Sequence, residues 1–279
     1  MTRRLYVSVA AFIVGLGSSA AFGQSRDARA CDLPHAAGVS IHQLSSGLTT
    51  RTYRLFVPPG YNGRQRLPLV LDLHGSGGNA EGQARNSGFE SLAAKEHFLV
   101  ATLNAEGGRW NVPVQPDRAD DVAYVADVID HVAAQACTDP ARVYATGFSG
   151  GARMTSLLGC SLGSRLAAIA PVSGLRMPAS ACVSRPVPVL TFHGLADPQN
   201  TYDGHIPGRA EWIESVPDAL AGWAAHNGCN SKVVLEDPPG PLSTLRYNGC
   251  NAGAAVRLIR IDGLGHRWTH DEVDTTGVM

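Results

Sequence analysis

Ser149 lies in the run Val143-Tyr144-Ala145-Thr146-Gly147-Phe148-Ser149-Gly150-Gly151-Ala152, where β-prone residues give way to Gly147-x-Ser149-x-Gly151 and then to helix formers. The pattern predicts a strand, a tight elbow and a helix, with the serine lifted above a sheet and flanked by residues that must lack side chains. In a chain with 31 glycines the pentapeptide alone arises readily by composition, so its surroundings decide its meaning. A serine hydroxyl is a poor nucleophile near neutral pH: an imidazole must take its proton, and a carboxylate must hold the imidazole in the right tautomer. Candidates for both lie downstream, Asp197 in His193-Gly194-Leu195-Ala196-Asp197-Pro198 and His266 in Gly263-Leu264-Gly265-His266. Asp203 is the main rival to Asp197, and nine other histidines compete with His266. Upstream, His74-Gly75-Ser76-Gly77-Gly78 reads as a turn whose backbone amides can face a reaction centre. The N–H groups of Ser76 and Gly150 are expected to form an oxyanion hole, where one donor is worth about 3 kcal/mol of transition-state stabilisation. His74 and His193, each before a glycine at a strand end, are expected to support these loops rather than to react. His266 and His270 are four apart but lack the helix and glutamate of a metal motif, so no metal is expected.

The elements that must position these residues alternate along the chain. Strands are predicted at Arg51 to Val57, Leu67 to Leu73, Phe98 to Leu103, Arg142 to Thr146, Ala167 to Val172, Val187 to Phe192 and Val256 to Ile261. Helices are predicted at Asp120 to Ala136, where Val122, Val125, Val128, Ile129 and Val132 recur at helical spacing, at Gly150 to Leu162 and at Val216 to His226. This alternation implies an α/β fold with a mostly parallel central sheet and helices on both faces. The chemistry-bearing residues then fall at the carboxyl ends of strands, where such sheets place their sites. Their order, serine then aspartate then histidine, is that of the α/β-hydrolase triad.

Composition narrows the function further. The chain has 279 residues, 44% hydrophobic and 17% charged, enough for one large domain. Residues 1–23 combine Arg3 and Arg4, an apolar run from Leu5 to Gly17 and a small-residue ending, and read as a secretory signal peptide. Residues 24–45 read as a polar, irregular tether and 46–279 as the catalytic domain. Asp271 to Met279 reads as the opening of a helix with neither cap nor stop, so truncation at the C-terminus is expected. Loss of the leader takes the net charge from −1 to −3 and leaves no basic run, which argues against nucleic acid and membrane as partners. The expected location is secreted or periplasmic. There, widely spaced cysteines form disulfides rather than metal sites. Cys229 is expected to pair with Cys250, because each follows Asn-Gly and the two bracket one hairpin; Cys160 with Cys182 then closes a loop, leaving Cys31 for Cys137. Trp223 lies in an apolar helical stripe and is assigned to the core, whereas Trp110, Trp268 and Trp212 are candidates to line a substrate cleft.

Taken together, Leu73-His74-Gly75-Ser76-Gly77-Gly78-Asn79-Ala80, the Ser149 elbow, the Asp197 loop, Trp223-Ala224-Ala225-His226-Asn227-Gly228-Cys229 and Gly265-His266-Arg267-Trp268 resemble secreted esterases of the polyhydroxybutyrate-depolymerase and feruloyl-esterase family. The resemblance covers roughly residues 45–275. It implies an α/β-hydrolase fold, a triad of Ser149, Asp197 and His266, and oxyanion amides at Ser76 and Gly150. Many members of that family have cysteine in place of Ser76, asparagine in place of Gly150, and Trp-Pro-Gly where this chain has Trp268-Thr269-His270. The expected activity is hydrolysis of carboxylic esters through an acyl-enzyme, without a cofactor. Feruloyl or related plant-wall esters rank first as substrates, polyhydroxybutyrate and acetylated xylan behind them. A catalytically silent hydrolase fold that binds a carbohydrate or protein is the alternative from another class, and a peptidase is a further rival.

Overall fold

The structure is a computed structural model and describes residues 31–178, 182–204, 214–237, 239–270 and 275–278. The leader expected at residues 1–23 lies outside them. Ten strands form one sheet: β1 (Gly38–Ser46), β2 (Thr49–Val57), β3 (Leu67–Leu73), β4 (Leu99–Leu103), β5 (Thr138–Phe148), β6 (Ala168–Val172), β7 (Val189–Gly194), β8 (Val233–Glu236), β9 (Leu242–Tyr247) and β10 (Val256–Ile261). Their spatial order is β1-β2-β4-β3-β5-β6-β7-β10-β9-β8. The six from β4 to β10 are parallel, and antiparallel pairs finish both edges. All five residues of β4 are buried, the continuous apolar pattern of a strand covered on both faces.

The helices are α1 (Ala80–Ser87), α2 (Phe89–Glu96), α3 (Asp121–Gln135), α4 (Gly150–Ser161), α5 (Val216–His226) and a short α6 (Thr275–Val278). On one side of the sheet Leu69, Leu71 and Ala101 pack with Val125 and Val128 of α3, Met154 and Leu157 of α4, and Leu220 and Trp223 of α5. Alternation along the strands sends Val100, Val172 and Phe192 to the other side, where they meet Phe89 and Ala93 of α2 and the Trp268 ring. Asn79 caps α1 by accepting from the Gly82 amide at 2.8 Å, and Asp120 caps α3 by accepting from Ala123 at 2.9 Å. Gly88, at φ +69°, ends α1 and starts α2 in a left-handed conformation that a glycine adopts without strain. Among the described residues no helix is long and apolar enough to cross a membrane.

The tether expected at residues 24–45 needs correction from residue 31 onward. Leu33 exchanges bonds with the 61–63 turn, its amide donating to Gly63 O at 3.0 Å and its carbonyl accepting from the Tyr61 hydroxyl at 2.8 Å. Gly38–Ser46 is a full edge strand, paired antiparallel along its whole length with β2. Its alternation is inverted: Val39 and Ile41 are exposed while Ser40 and His42 face inward, where Ser40 Oγ and His42 Nε2 are 2.7 Å apart and the His42 ring stacks on Tyr53. Backbone pairing rather than a buried apolar face makes this strand, so its sequence reads as irregular. Disulfides join Cys31 to Cys137, Cys160 to Cys182, and Cys229 to Cys250 across the β8–β9 hairpin. In chain-entropy terms a loop of about a hundred residues, like that closed by Cys31 and Cys137, is stabilised by roughly 4–5 kcal/mol.

Asp72 of β3 is fully buried and holds α1 to the sheet, accepting from Gln83 Nε2 at 2.7 Å and Ser87 Oγ at 2.6 Å. Burial pushes its carboxyl up to about 7, against the opposing effect of those two hydrogen bonds. A carboxyl whose folded pKa is raised takes up a proton on folding, so its contribution is full below about pH 4 and is lost as pH rises through about 7. Asp72→Asn should therefore gain stability relative to the natural protein as pH climbs through that window, by roughly 2–4 kcal/mol. Denaturant titrations at a series of pH values measure the difference; parallel curves would show that Asp72 titrates alike in both states.

Candidate active site

Ser149 follows β5 directly and has φ +54° and ψ −111°, a strained conformation for a residue with a side chain. Its surroundings over-determine it. The Ser149 amide donates to Val172 O at 2.9 Å, its carbonyl accepts from the Arg153 amide at 3.0 Å, and α4 leaves immediately behind it. A Cβ on Gly151 would lie 2.2 Å from Leu73 O and 2.7 Å from His74 O, and one on Gly147 would lie 2.8 Å from Leu73 O. The flanking glycines are therefore required by the approach of α4 to the end of β3.

The loops after β7 and β10 are laced together because the two strands are parallel neighbours. Leu195 N donates to Ile261 O and Ala196 N to Leu264 O, both at 3.0 Å. The lacing sets Asp197 Oδ2 2.7 Å from His266 Nδ1. Asp197 Oδ1 accepts the amides of Gln199 and Asn200, each at 2.8 Å, and Asn200 Nδ2 ties the turn to Ser173 O at 2.6 Å. Burial raises the Asp197 carboxyl, but the bonds from His266 and the two amides outweigh it and hold it below the ordinary carboxylate range. The partner assigns the tautomer: with Nδ1–H donating to a carboxylate, a neutral His266 presents Nε2 as its free acceptor. The His266 ring centroid is 4.8 Å from that of Phe148, the residue before Ser149. Asp203, the rival carboxylate, is exposed.

The turn after β3 completes the arrangement. His74 is buried, its Nδ1 donating to Gly75 O at 2.8 Å and its Nε2 accepting from the Ala105 amide at 3.0 Å, and burial lowers its pKa, so both nitrogens hold backbone. His193 is used similarly, its Nε2 donating to Asn200 O at 2.7 Å. Gly75 reaches Ser149 closely enough that a Cβ there would lie 3.5 Å from the Ser149 Cβ. A Cβ on Gly150 would lie 2.4 Å from Ser76 Oγ and 3.0 Å from Ser76 N, so the two predicted oxyanion residues are neighbours. Among the described residues the Ser76 amide has no backbone acceptor, and Gly150, as the first residue of α4, contributes one of the helix's orphan N–H groups. The backbones of Ser76 and Gly150 thus lie next to each other beside Ser149, the second at the positive end of the α4 dipole.

Of the two tryptophans expected in a cleft that lie among the described residues, Trp110 reaches one and Trp268 does not. Trp110 is largely buried, donating Nε1 to His74 O at 2.8 Å, and presents an edge to a hollow of about 310 Å³ that also touches Ser76 and Gly150. Trp268 is not a cleft residue: its ring packs against Phe89 at 6.0 Å and its Nε1 donates to Thr276 Oγ1 at 3.1 Å, because the chain turns under α2 after His266. Trp212 lies outside the described residues. Asn200 escaped the sequence reading: Asp197 before Pro198 signals an Asx turn, but the turn uses only backbone amides and gives no sign that the Asn200 side chain ties it to Ser173. Among the described residues no cluster of histidine, cysteine and acidic side chains could hold a metal ion.

The two glycines after Ser149 should respond differently to a methyl group. Gly151→Ala meets two backbone carbonyls and should lose about 3 kcal/mol or more, whereas Gly150→Ala meets mainly the Ser76 hydroxymethyl, which can rotate, and should lose about 1 kcal/mol or less. Thermal unfolding of the two variants compares them, and equal losses would contradict the packing described.

Comparison with known proteins agrees with this architecture. Residues 51–211 match the family described as Esterase PHB depolymerase. The chain is 31% identical over 230 residues to feruloyl esterase B of Piromyces equi, covering 75% of this chain but only 41% of that protein. It is also 31% identical over 243 residues to the putative esterase NocK of Nocardia uniformis subsp. tsuyamanensis, covering 78% of this chain and 71% of that one. Among solved structures, an acetyl xylan esterase from Aspergillus awamori superposes with a TM-score of 0.61 at 16% identity, over 86% of this chain and all of that one. The feruloyl esterase module from Clostridium thermocellum gives 0.59 at 13% identity, over 89% and 87% of the two chains. These structures share the α/β-hydrolase fold, and on the strength of the sequence match the chain belongs to the esterase PHB depolymerase family.

Proposed function

We propose that the protein is a serine carboxylic-ester hydrolase acting through an acyl-enzyme. The observation that carries the reading is the Asp197–His266 pair at 2.7 Å, whose imidazole lies 4.8 Å from the ring of Phe148, the residue before a serine held at φ +54°. In the first half-reaction Ser149 Oγ attacks the ester carbonyl carbon while its proton passes to His266 Nε2. Asp197 stabilises the imidazolium through Nδ1–H, remaining ionised itself. The carbonyl oxygen becomes an alkoxide that accepts from the Ser76 and Gly150 amides. Collapse breaks the bond to the leaving alcohol, which takes the proton from Nε2. Water then repeats the sequence, releasing the acid and restoring Ser149. The chain's own side chains balance every proton.

Feruloyl or related plant-wall esters are the first substrates to expect, because several similar proteins carry the name feruloyl esterase and a further relative is an acetylxylan esterase/xylanase. Hydroxybutyrate oligomers come second. The three disulfides support a location outside the reducing cytoplasm.

Purified protein should hydrolyse 4-nitrophenyl acetate and release acid from methyl ferulate, and Ser149→Ala should abolish both. Asp197→Asn, which keeps the shape of the site and changes the hydrogen-bonding pattern, should lower kcat by about 10³–10⁴. Unchanged turnover in Ser149→Ala would end the acyl-enzyme reading. A panel of methyl ferulate, a hydroxybutyrate oligomer and acetylated xylan ranks the esters, and turnover of peptide but not ester would reassign the site to a peptidase.

A further inference from the structure

Among the described residues the hollow that touches Ser76 and Gly150 is lined by three arginines, Arg109, Arg118 and Arg153, and by no acidic side chain. Resting on the ester-hydrolase reading of the same site, we infer that its substrate carries a carboxylate close to the scissile ester and that Arg109 and Arg118 select for it.

Three observations support this inference. First, the two guanidinium groups are exposed and, among the described residues, have no carboxylate partner within 4.0 Å. Glu106, Asp117 and Asp121 line an adjoining hollow that also touches Arg109 and Arg118, and Asp120 and Asp121 share a further one with Arg118, but none of these carboxylates is within ion-pair distance of either guanidinium. Second, the segment that carries them is built to hold them. Arg118 Nη2 donates to Arg109 O at 2.6 Å; Asn111 Nδ2 donates to Gln115 O at 2.9 Å and Ala119 O at 3.1 Å, and Asn111 Oδ1 accepts from Gln115 N at 2.7 Å. The buried Asp121 receives the Asn111 amide at 2.6 Å and Arg51 Nη2 at 2.7 Å, which anchors the segment in the core. A loop stapled this way keeps its guanidinium groups in one region, so less freedom is lost when an anion binds. Third, the position is specific. The hollow shares its wall with both expected oxyanion residues, and Arg153 Nη2 donates to Ser76 Oγ at 3.5 Å. An anion held there lies on the reacting ester rather than on a remote surface. Guanidinium forks match carboxylate oxygens in pairs, which favours a carboxylate over a diffuse charge.

The carboxylate can belong to the acyl half, as in a dicarboxylic monoester, or to the alcohol half, as in an ester of a uronic acid. Two pairs of esters distinguish these. In the acyl arm mono-4-nitrophenyl adipate is compared with 4-nitrophenyl hexanoate, which has the same leaving group and no charge. In the alcohol arm acetylated methyl glucuronoside is compared with acetylated methyl glucoside. The quantity read is the ratio of kcat/KM for the anionic ester to that for its neutral counterpart. The natural protein should favour the anionic ester by about tenfold in one arm, falling toward unity between about 10 mM and about 500 mM salt. Arg109→Gln/Arg118→Gln should remove the preference and its salt dependence, and Arg118→Lys should keep part of it. Calorimetric titration of adipate and of glucuronate into the purified protein reads the same charge selection without turnover, and the double variant should bind the better of the two about tenfold more weakly. Turnover of none of the four esters would refute the esterase reading and leave the titration to decide the arginines. Ratios and affinities equal in the natural protein and the double variant would overturn the inference.

Discussion

The approach of α4 to the carboxyl end of β3 is the contact on which the rest of the site depends. It leaves no space for a side chain at Gly147 or Gly151, because Leu73 O and the facing backbone occupy it. Ser149, between them, is forced to positive φ, and its amide and carbonyl are committed to separate partners, Val172 O and the Arg153 amide. The same approach brings the 74–78 turn alongside the helix N-terminus, so the backbone of Ser76 lies next to Gly150, the first residue of α4. A strained residue persists only where its surroundings leave no cheaper arrangement, and here the constraint is backbone against backbone.

Electrostatics then separates two buried carboxylates into different roles. Asp72 and Asp197 are both inaccessible to water. Asp72 receives two neutral side-chain donors, and burial prevails, pushing it up to about 7. Asp197 receives two backbone amides and an imidazole, and these prevail over burial. The first therefore suits a structural hydrogen-bonding post, whereas the second suits an anion that must orient a histidine and stabilise its positive charge.

Much of the fold was legible in the residues, because buried parallel strands leave continuous apolar runs and amphipathic helices leave periodic ones. Leu67–Leu73, Val256–Ile261 and Val216–His226 have the bounds their patterns imply. The pairing of Asp197 with His266 was foreseeable too, since each follows a predicted strand end in the order serine, aspartate, histidine; the structure adds that β7 lies beside β10. What escaped notice lacks periodicity. α1 and α2 are two turns each, joined by a single glycine, and β1 turns its β-branched residues toward solvent. Trp268 was misread because loop position does not reveal which way the chain turns next. The arginine hollow was invisible for the same reason: Arg109, Arg118 and Arg153 are brought together by a loop whose course is set by buried bonds to Asn111 and Asp121.

The sheet order places the ends of β3, β5, β7 and β10 along one rim, although Ser76, Ser149, Asp197 and His266 are spread across most of the chain. No fragment that stops short of β10 therefore contains all four residues. If the acyl-enzyme reading holds, a chain in which the last strand has not yet docked has a serine without a base and a carboxylate without its imidazole, so hydrolytic competence would arrive only with completion of the sheet. Such an assembly is silent while incomplete, and its activity would report that folding has finished more directly than any measure of secondary structure.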